Sequence, residues 1–442
     1  MPTLNRPEGT LIRPSVADPQ SYPYPSRRTV VYGQHGMVAT AEPQAAQAGL
    51  RVLYQGGNAI DAAIATAAAL TVTEPTSNGI GSDAFAIVWS KGKLYGLNSS
   101  GPAPHGLTRE WVRQQGHETM PNKGWCTVTV PGAPAAWVAL TQRFGKLSLA
   151  QTLEPAVRLA REGYPVAPTV AYYWDKAYQV YKETLTNPEF QEWFRVFAPN
   201  GRAPNPGEIW RSPDHAETLM AIGSSNGDAY YKGILAEQIA GFARDTGGVI
   251  TVEDLAHFAP EWVEPLSVDF HGYQVWELPP NGQGLVALMA LKMLAGFSFS
   301  SEAERIHYQI EAIKLGFADA FQYLTDPRHM PYPAEEFLSD SYTAKRRQAI
   351  GPQAQIRTAG VPTPGGTVYL ATADDQGNMV SYIQSNYAGF GSGLVVPGTG
   401  ISLQNRGGLF SLDERHPNTL EPGKRPYHTI IPGFLTRNGE PI

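Results

Sequence analysis

Pro364-Gly365-Gly366-Thr367-Val368-Tyr369-Leu370-Ala371-Thr372-Ala373, followed by Asp374-Asp375-Gln376-Gly377-Asn378 and Met379-Val380-Ser381-Tyr382-Ile383-Gln384-Ser385, is the stretch on which the fold turns. Residues 367–373 and 379–385 are rich in β-branched and aromatic residues, and the five between them are turn formers. The pattern predicts two neighbouring strands. Residues 331–366 carry many Pro and polar residues and read as a linker. Two glycines then deliver a Thr to the head of a strand, with no bulk around the preceding carbonyl. Backbone self-cleavage needs that arrangement. The Thr367 hydroxyl attacks the carbonyl carbon of Gly366, the acyl group moves from nitrogen to oxygen, and water hydrolyses the ester. The released α-amine, with an ordinary pKa near ~7.7, then serves as general base for the hydroxyl of its own residue. Ser385, on the neighbouring strand, is within reach of that hydroxyl; its other reading is a plain strand residue.

Upstream, residues 1–28 read as an extended arm, and residues 36–41 begin a short strand. Helical spacing marks 43–54 and 59–70, the second capped by Asn58 and made almost wholly of Ala, Ile and Leu. Residues 85–89 and 93–98 form a predicted hairpin. The middle of the chain is mainly helical, at 148–162, 212–222, 235–246, 285–295 and 303–324, with a strand at 273–278. A further short strand is expected at 401–405. Asn438-Gly439 is a hairpin signal with too little chain after it for a second arm, which leads us to expect a truncated sequence.

The 442 residues include 45 Gly and 37 Pro, well above the usual combined share of about 12%. Charged residues make up 17%, against about 25% in an average protein. The chain is therefore loop-rich and globular. With 34 Lys and Arg against 40 Asp and Glu, it lacks the basic excess of a general nucleic-acid binder. One cysteine, Cys126, excludes an intramolecular disulfide, and the ten His residues show no metal-ligand spacing. No apolar run approaches the roughly 20 residues of a membrane span, and no secretory leader is visible, so a cytoplasmic location is expected. Gly223-Ser224-Ser225-Asn226-Gly227 imitates a nucleophile elbow, but a helix precedes it where a strand is required. Gly282-Gln283-Gly284 imitates a dinucleotide loop, but Pro279-Pro280 interrupts the turn. Asn98-Ser99-Ser100 is a glycosylation triplet, meaningless without secretion.

Other stretches fall into an order that resembles the γ-glutamyltransferases, or glutathione hydrolases, of the N-terminal-nucleophile hydrolase superfamily. They include Gly56-Gly57-Asn58-Ala59-Ile60-Asp61, Thr73-Glu74-Pro75, Val130-Pro131-Gly132, Gly247-Gly248-Val249-Ile250-Thr251, Phe390-Gly391-Ser392-Gly393 and Gly423-Lys424-Arg425-Pro426. The resemblance implies an α+β fold, a four-layer αββα sandwich. It implies a precursor cut between Gly366 and Thr367 into a large-subunit region, 29–366, and a small-subunit region, 367–442, incomplete at its C-terminus. Thr367 aligns with the family's nucleophile, and Ser385 with a Thr that hydrogen-bonds it. No cofactor or metal is implied. The expected partners are a small-molecule γ-glutamyl or other amide and the chain's own subunits, with no nucleic acid and no membrane; homo-oligomerisation is left open.

The chain departs from the family at the substrate. The Arg that binds the donor α-carboxylate is missing from residues 98–104, and Leu409 stands where an Asp binds the α-ammonium. Two carboxylate-binding serines correspond to His428 and Thr429, and a Gln corresponds to Arg406. Arg406, His428 and Thr429 are thus the expected substrate-binding residues, with Arg406 able to take a carboxylate bidentately. The family's oxyanion-hole glycines would follow Ile442. The expected reaction is acyl transfer from an amide, γ-glutamyl by family default, to water or an amine. Two alternatives keep the mechanism, a cephalosporin-acylase-like enzyme and a γ-linked polyglutamate hydrolase. A third is an inactive scaffold.

Overall fold

Why the hairpin of the opening stretch sits at the centre of the molecule is visible in a computed structural model that describes residues 31–356 and 366–442. The expected arm at 1–28 and Gly365 lie outside the described residues. The strands are β1 (Gly36–Thr40), β2 (Asp83–Ser90), β3 (Lys93–Ser99), β4 (Tyr164–Pro165), β5 (Ile209–Trp210), β6 (Glu261–Val263), β7 (Leu266–Phe270), β8 (Tyr273–Glu277), β9 (Gly366–Asp374), β10 (Met379–Tyr387), β11 (Phe434–Arg437) and β12 (Glu440–Pro441). β9 and β10 enter a six-stranded antiparallel sheet in the order β1-β9-β10-β2-β3-β6. A second antiparallel sheet runs β12-β11-β8-β7.

Period-two alternation decides which side chain meets which layer. Phe85 and Ile87 of β2 and Ile383 of β10 point toward the second sheet and pack with Leu278, Ile430 and Trp276. The opposite parity, Ala84, Ala86 and Val88, packs on the helical side with helix Ala59–Thr73. On the far side, helix Gly284–Leu294 lies against β7 and β8, and helix Glu302–Tyr323 packs on it. The layers are therefore helix, sheet, sheet, helix, the α+β sandwich that the resemblance implies.

Helix Ala59–Thr73 is buried along its whole length, so small side chains are obligatory there. At the crossing with helix Pro43–Tyr54, a Cβ on Gly49 would clash with Thr66 Oγ1. The helix is held at its N-terminus by a capping box: Asn58 Oδ1 accepts from the Ile60 and Asp61 amides, and Asp61 accepts from the Asn58 amide. Asp374, in the β9–β10 turn, adds a carboxylate to the same end, accepting from the Ala59 amide at 2.9 Å and the Asn378 side chain at 2.8 Å.

Three expectations need correction. The stretch 331–350 is not a linker: helices Ala334–Phe337 and Asp340–Arg347 form there, and Phe337 and Ile350 are buried in a hydrophobic cluster with helix Gly284–Leu294. Pro333 is the N-cap of the first of these helices, just outside its hydrogen-bonded ladder, where a missing N–H costs nothing. Residues 401–405 make only isolated bridges, Ser402 with Val395 and Leu403 with Gly81, between the left-handed turns at Gly398 and Gly400 and the 3₁₀ turn at Arg406–Leu409. The Asn438-Gly439 turn does have a second arm: β11 and β12 pair through Thr436–Pro441 and Arg437–Glu440.

Candidate active site

The site is built on the central strands where β9 begins. Thr367 is exposed, and its hydroxyl donates to Ser385 Oγ at 3.3 Å. Ser385 is fully buried and its Oγ also accepts from the Tyr387 amide at 2.7 Å. A register shift between Gln384 and Tyr387 makes this possible: Gln384 pairs with Val368 but Tyr387 pairs with Gly366. The irregularity gives the head of β9 room between two regular ladder positions. Tyr387 itself has φ +80°, a left-handed backbone that a non-glycine residue adopts only at a cost.

Ser385 pairs in turn with Asp83 at the start of β2, so Thr367, Ser385 and Asp83 line up across three strands. Asp83 is wholly buried. It accepts from the Gly101 amide at 3.3 Å and faces His428 Nε2 at 3.3 Å. Burial pushes its carboxyl up to about 7, against the opposing pull of Arg406. His428 is also wholly buried, edge-on to Phe85, and burial followed by the charge of Arg406 holds it well below the ordinary histidine value. The imidazole is thus neutral at neutral pH, and donates to Asp83.

Arg406 follows Asn405 into a short 3₁₀ turn and is fully buried. Its Nη1 donates to Thr429 Oγ1 at 2.7 Å, and its guanidinium lies 4.6 Å from the centre of the Tyr387 ring. Nε and Nη2 have no hydrogen-bond partner among the described residues. Burial lowers its pKa to about 10, which still leaves it cationic at neutral pH. A buried cation with two unmet donors calls for an acceptor, and a ligand carboxylate matches that geometry.

Thr429, Tyr387 and Leu409 all border a cavity of about 1040 Å³, open to solvent between helix Glu302–Tyr323 and the 408–418 loop. Thr367, Ser385, Arg406 and His428 are not in its lining; Arg406 reaches it only through its neighbours Thr429 and Tyr387. The structure therefore brings Thr367 and Ser385 together, and Arg406 and Thr429 together, with Tyr387 as the residue common to both pairs. His428 lies behind them, against Asp83. Asp83 and Tyr387 went unread in the sequence. Asp83 was legible only as an acid opening an otherwise apolar strand, and Tyr387 only as the residue two beyond Ser385, on the same strand face. Residues 98–104, which lack an Arg, do receive one from elsewhere. Arg425 Nε donates to the Ser100 carbonyl at 2.9 Å, but its other end is paired to Glu261 at 2.7 Å.

A sequence profile of the family described as Gamma-glutamyltranspeptidase matches residues 45–442. A glutathione hydrolase-like proenzyme, YwrD, of Bacillus subtilis is 37% identical over 420 residues, spanning 93% of this chain and 78% of that protein. An oxamate amidohydrolase proenzyme of Klebsiella pneumoniae is 36% identical over 415 residues, spanning 91% of this chain and 77% of that protein. Among solved structures, cephalosporin acylase from Bacillus halodurans superposes with a TM-score of 0.91 at 60% identity, covering 96% of this chain and 79% of that one.

Proposed function

Because this chain belongs to the gamma-glutamyltranspeptidase family, we propose that Thr367 is its nucleophile and that its acyl donor is an amide whose acyl group ends in a carboxylate and carries no α-ammonium. The chain is an amidohydrolase or acyltransferase made as a proenzyme, as its relatives are named. Thr367 Oγ attacks the carbonyl carbon of Gly366, breaking the peptide bond as the ester forms. Water hydrolyses the ester and leaves Thr367 as an N-terminal residue. In turnover its amine accepts the proton of its hydroxyl as Oγ attacks the donor amide, and returns a proton to the departing amine. Water or a second amine then cleaves the acyl–Thr ester. Ser385 Oγ holds the nucleophile in line and, as a hydroxyl, can turn its own proton toward it when Thr367 becomes an alkoxide.

The observation that carries the donor class is Arg406, a buried cation with unmet Nε and Nη2 donors, beside Leu409, which offers an ammonium nothing. Oxamate, the compound in one relative's name, is itself an amide with a carboxylate and no ammonium. The 60%-identical acylase supports a side-chain acylase over a γ-glutamyl enzyme.

The test compares glutaryl-4-nitroanilide with γ-glutamyl-4-nitroanilide, which differ only by the α-ammonium. N-terminal sequencing of the same preparation should show a chain beginning Thr367-Val368-Tyr369. We expect kcat/KM to favour the glutaryl compound by at least about tenfold, the usual penalty for an unpaired buried charge being larger than that. Preference for the γ-glutamyl compound would overturn the donor assignment, and an N-terminus elsewhere would overturn the nucleophile.

A further inference from the structure

We propose that Tyr387 is a positioning residue whose ring holds Arg406 in the orientation that receives the donor carboxylate, an inference that rests on the reading of Arg406 above. Three observations converge on it. Its ring centre lies 4.6 Å from the Arg406 guanidinium carbon. Among the described residues the Arg406 side chain has one hydrogen bond, Nη1 to Thr429, so the orientation of Nε and Nη2 is left to packing. The aromatic face fixes the plane of the guanidinium without consuming a donor, which a carboxylate or carbonyl neighbour would do. Tyr387 also borders the cavity while remaining 95% buried, so it joins the cavity to the fully buried Arg406, which lies outside the lining.

The backbone explains why this residue can do it. Tyr387 leaves the β10 ladder with φ +80°, directly after the register shift opposite Gly366. That turn in the chain is what brings its ring under Arg406 while its N–H still reaches Ser385 Oγ. The strain sits where nucleophile support and carboxylate recognition meet.

The experiment measures kcat/KM for glutaryl-4-nitroanilide relative to valeryl-4-nitroanilide, the same chain length without the carboxylate, in the full-length self-processed protein. Tyr387→Leu and Tyr387→Met remove the ring while keeping a non-glycine backbone. Each should lower the glutaryl-to-valeryl ratio by roughly tenfold, through KM, and Tyr387→Phe should recover most of the loss. In an Arg406→Ala background the Leu substitution should no longer change the ratio. If Arg406→Ala collapses the ratio but Tyr387→Leu and Tyr387→Met leave it unchanged, the positioning role is wrong and the Arg406 reading stands. If Arg406→Ala leaves the ratio unchanged, the donor reading itself fails and the proposal with it. Failure of Leu and Met variants to self-process, with Phe processing normally, would make the ring a fold element and would also overturn the proposal.

Discussion

Ser385 and Thr367 stand 3.3 Å apart across a disrupted ladder, and the chemistry assigned to them can be separated by substitution. Thr367→Ala removes the attacking oxygen and should leave the precursor as one chain by intact mass, whatever the incubation time. Ser385→Ala removes only the support. Loss of one hydrogen bond to a developing alkoxide should slow processing by about 10- to 100-fold without abolishing it. Two subunits from Thr367→Ala, or an unslowed Ser385→Ala, would each contradict the assigned role. Thr367 and Ser385 could be named from the sequence because self-cleavage demands small neighbours and the two lie on neighbouring predicted strands, although their contact depends on the register shift. Asp83 and Tyr387 could not be named. Asp83 becomes part of the site only through the β2–β10 register, a pairing of residues about 300 positions apart. Tyr387 does so only through a register irregularity that no local pattern announces.

At the scale of elements, the β9–β10 turn and the buried helix Ala59–Thr73 share a fastening. Asp374 accepts from the Gln376 and Asn378 amides within the turn and from the Ala59 amide at the helix start, and Thr372 Oγ1 donates to the Ala59 carbonyl. Asp374→Ala should cost about 1–2 kcal/mol of stability, read from a denaturant midpoint, with Asp374→Asn recovering part of it. A change under about 0.3 kcal/mol would show that Asn58 alone caps the helix. The elements with strong local signals were read to within a few residues: the helix at 59–70 extends to Thr73, and the hairpin strands extend to Asp374 and Tyr387. What failed were elements whose existence depends on distant partners. Two helices in 331–350 are stabilised by burial of Phe337 and Ile350 against helix Gly284–Leu294, and the two-residue strand β12 exists only because β11 has β8 on its other side.

Several carboxyls are buried among the described residues of the molecule, and they shape its response to pH. Burial raises Glu277 to about 8, Glu74 to about 7, the latter helped by the charge of Glu42, and Asp83 to about 7. Glu277 sits at the end of β8 where Gly284 and Gly433 leave room for it: a Cβ on Gly284 would lie 2.9 Å from Oε2, and one on Gly433 3.2 Å from Oε1. Each of these groups holds its proton in the native state to a higher pH than in the unfolded chain. Between about pH 4.5 and 8 the native state therefore binds more protons, and stability falls as pH rises through that window. Tm should be lower at pH 8.5 than at pH 5.5. Glu277→Gln should raise it more at pH 8.5 than at pH 5.5. A flat Tm between these values would mean that the three carboxyls ionise without penalty.

The strand order has a consequence for how the protein must be made. β9, from Thr367 on, and β10 would follow the proposed cut, and they are inserted between β1 and β2, which precede it. Neither piece owns a finished sheet: the upstream piece alone would present two raw strand edges facing a gap two strands wide, and the downstream hairpin alone would have no layer to bury its core face. On the proposed cleavage, continuity of the chain through residue 366 would act as a built-in chaperone, delivering the hairpin at the right moment and concentration. Once the interleaved sheet has closed, the peptide bond would be dispensable. A gene divided at codon 367 would forfeit that delivery, its two products meeting only by diffusion, with exposed edges inviting aggregation on the way.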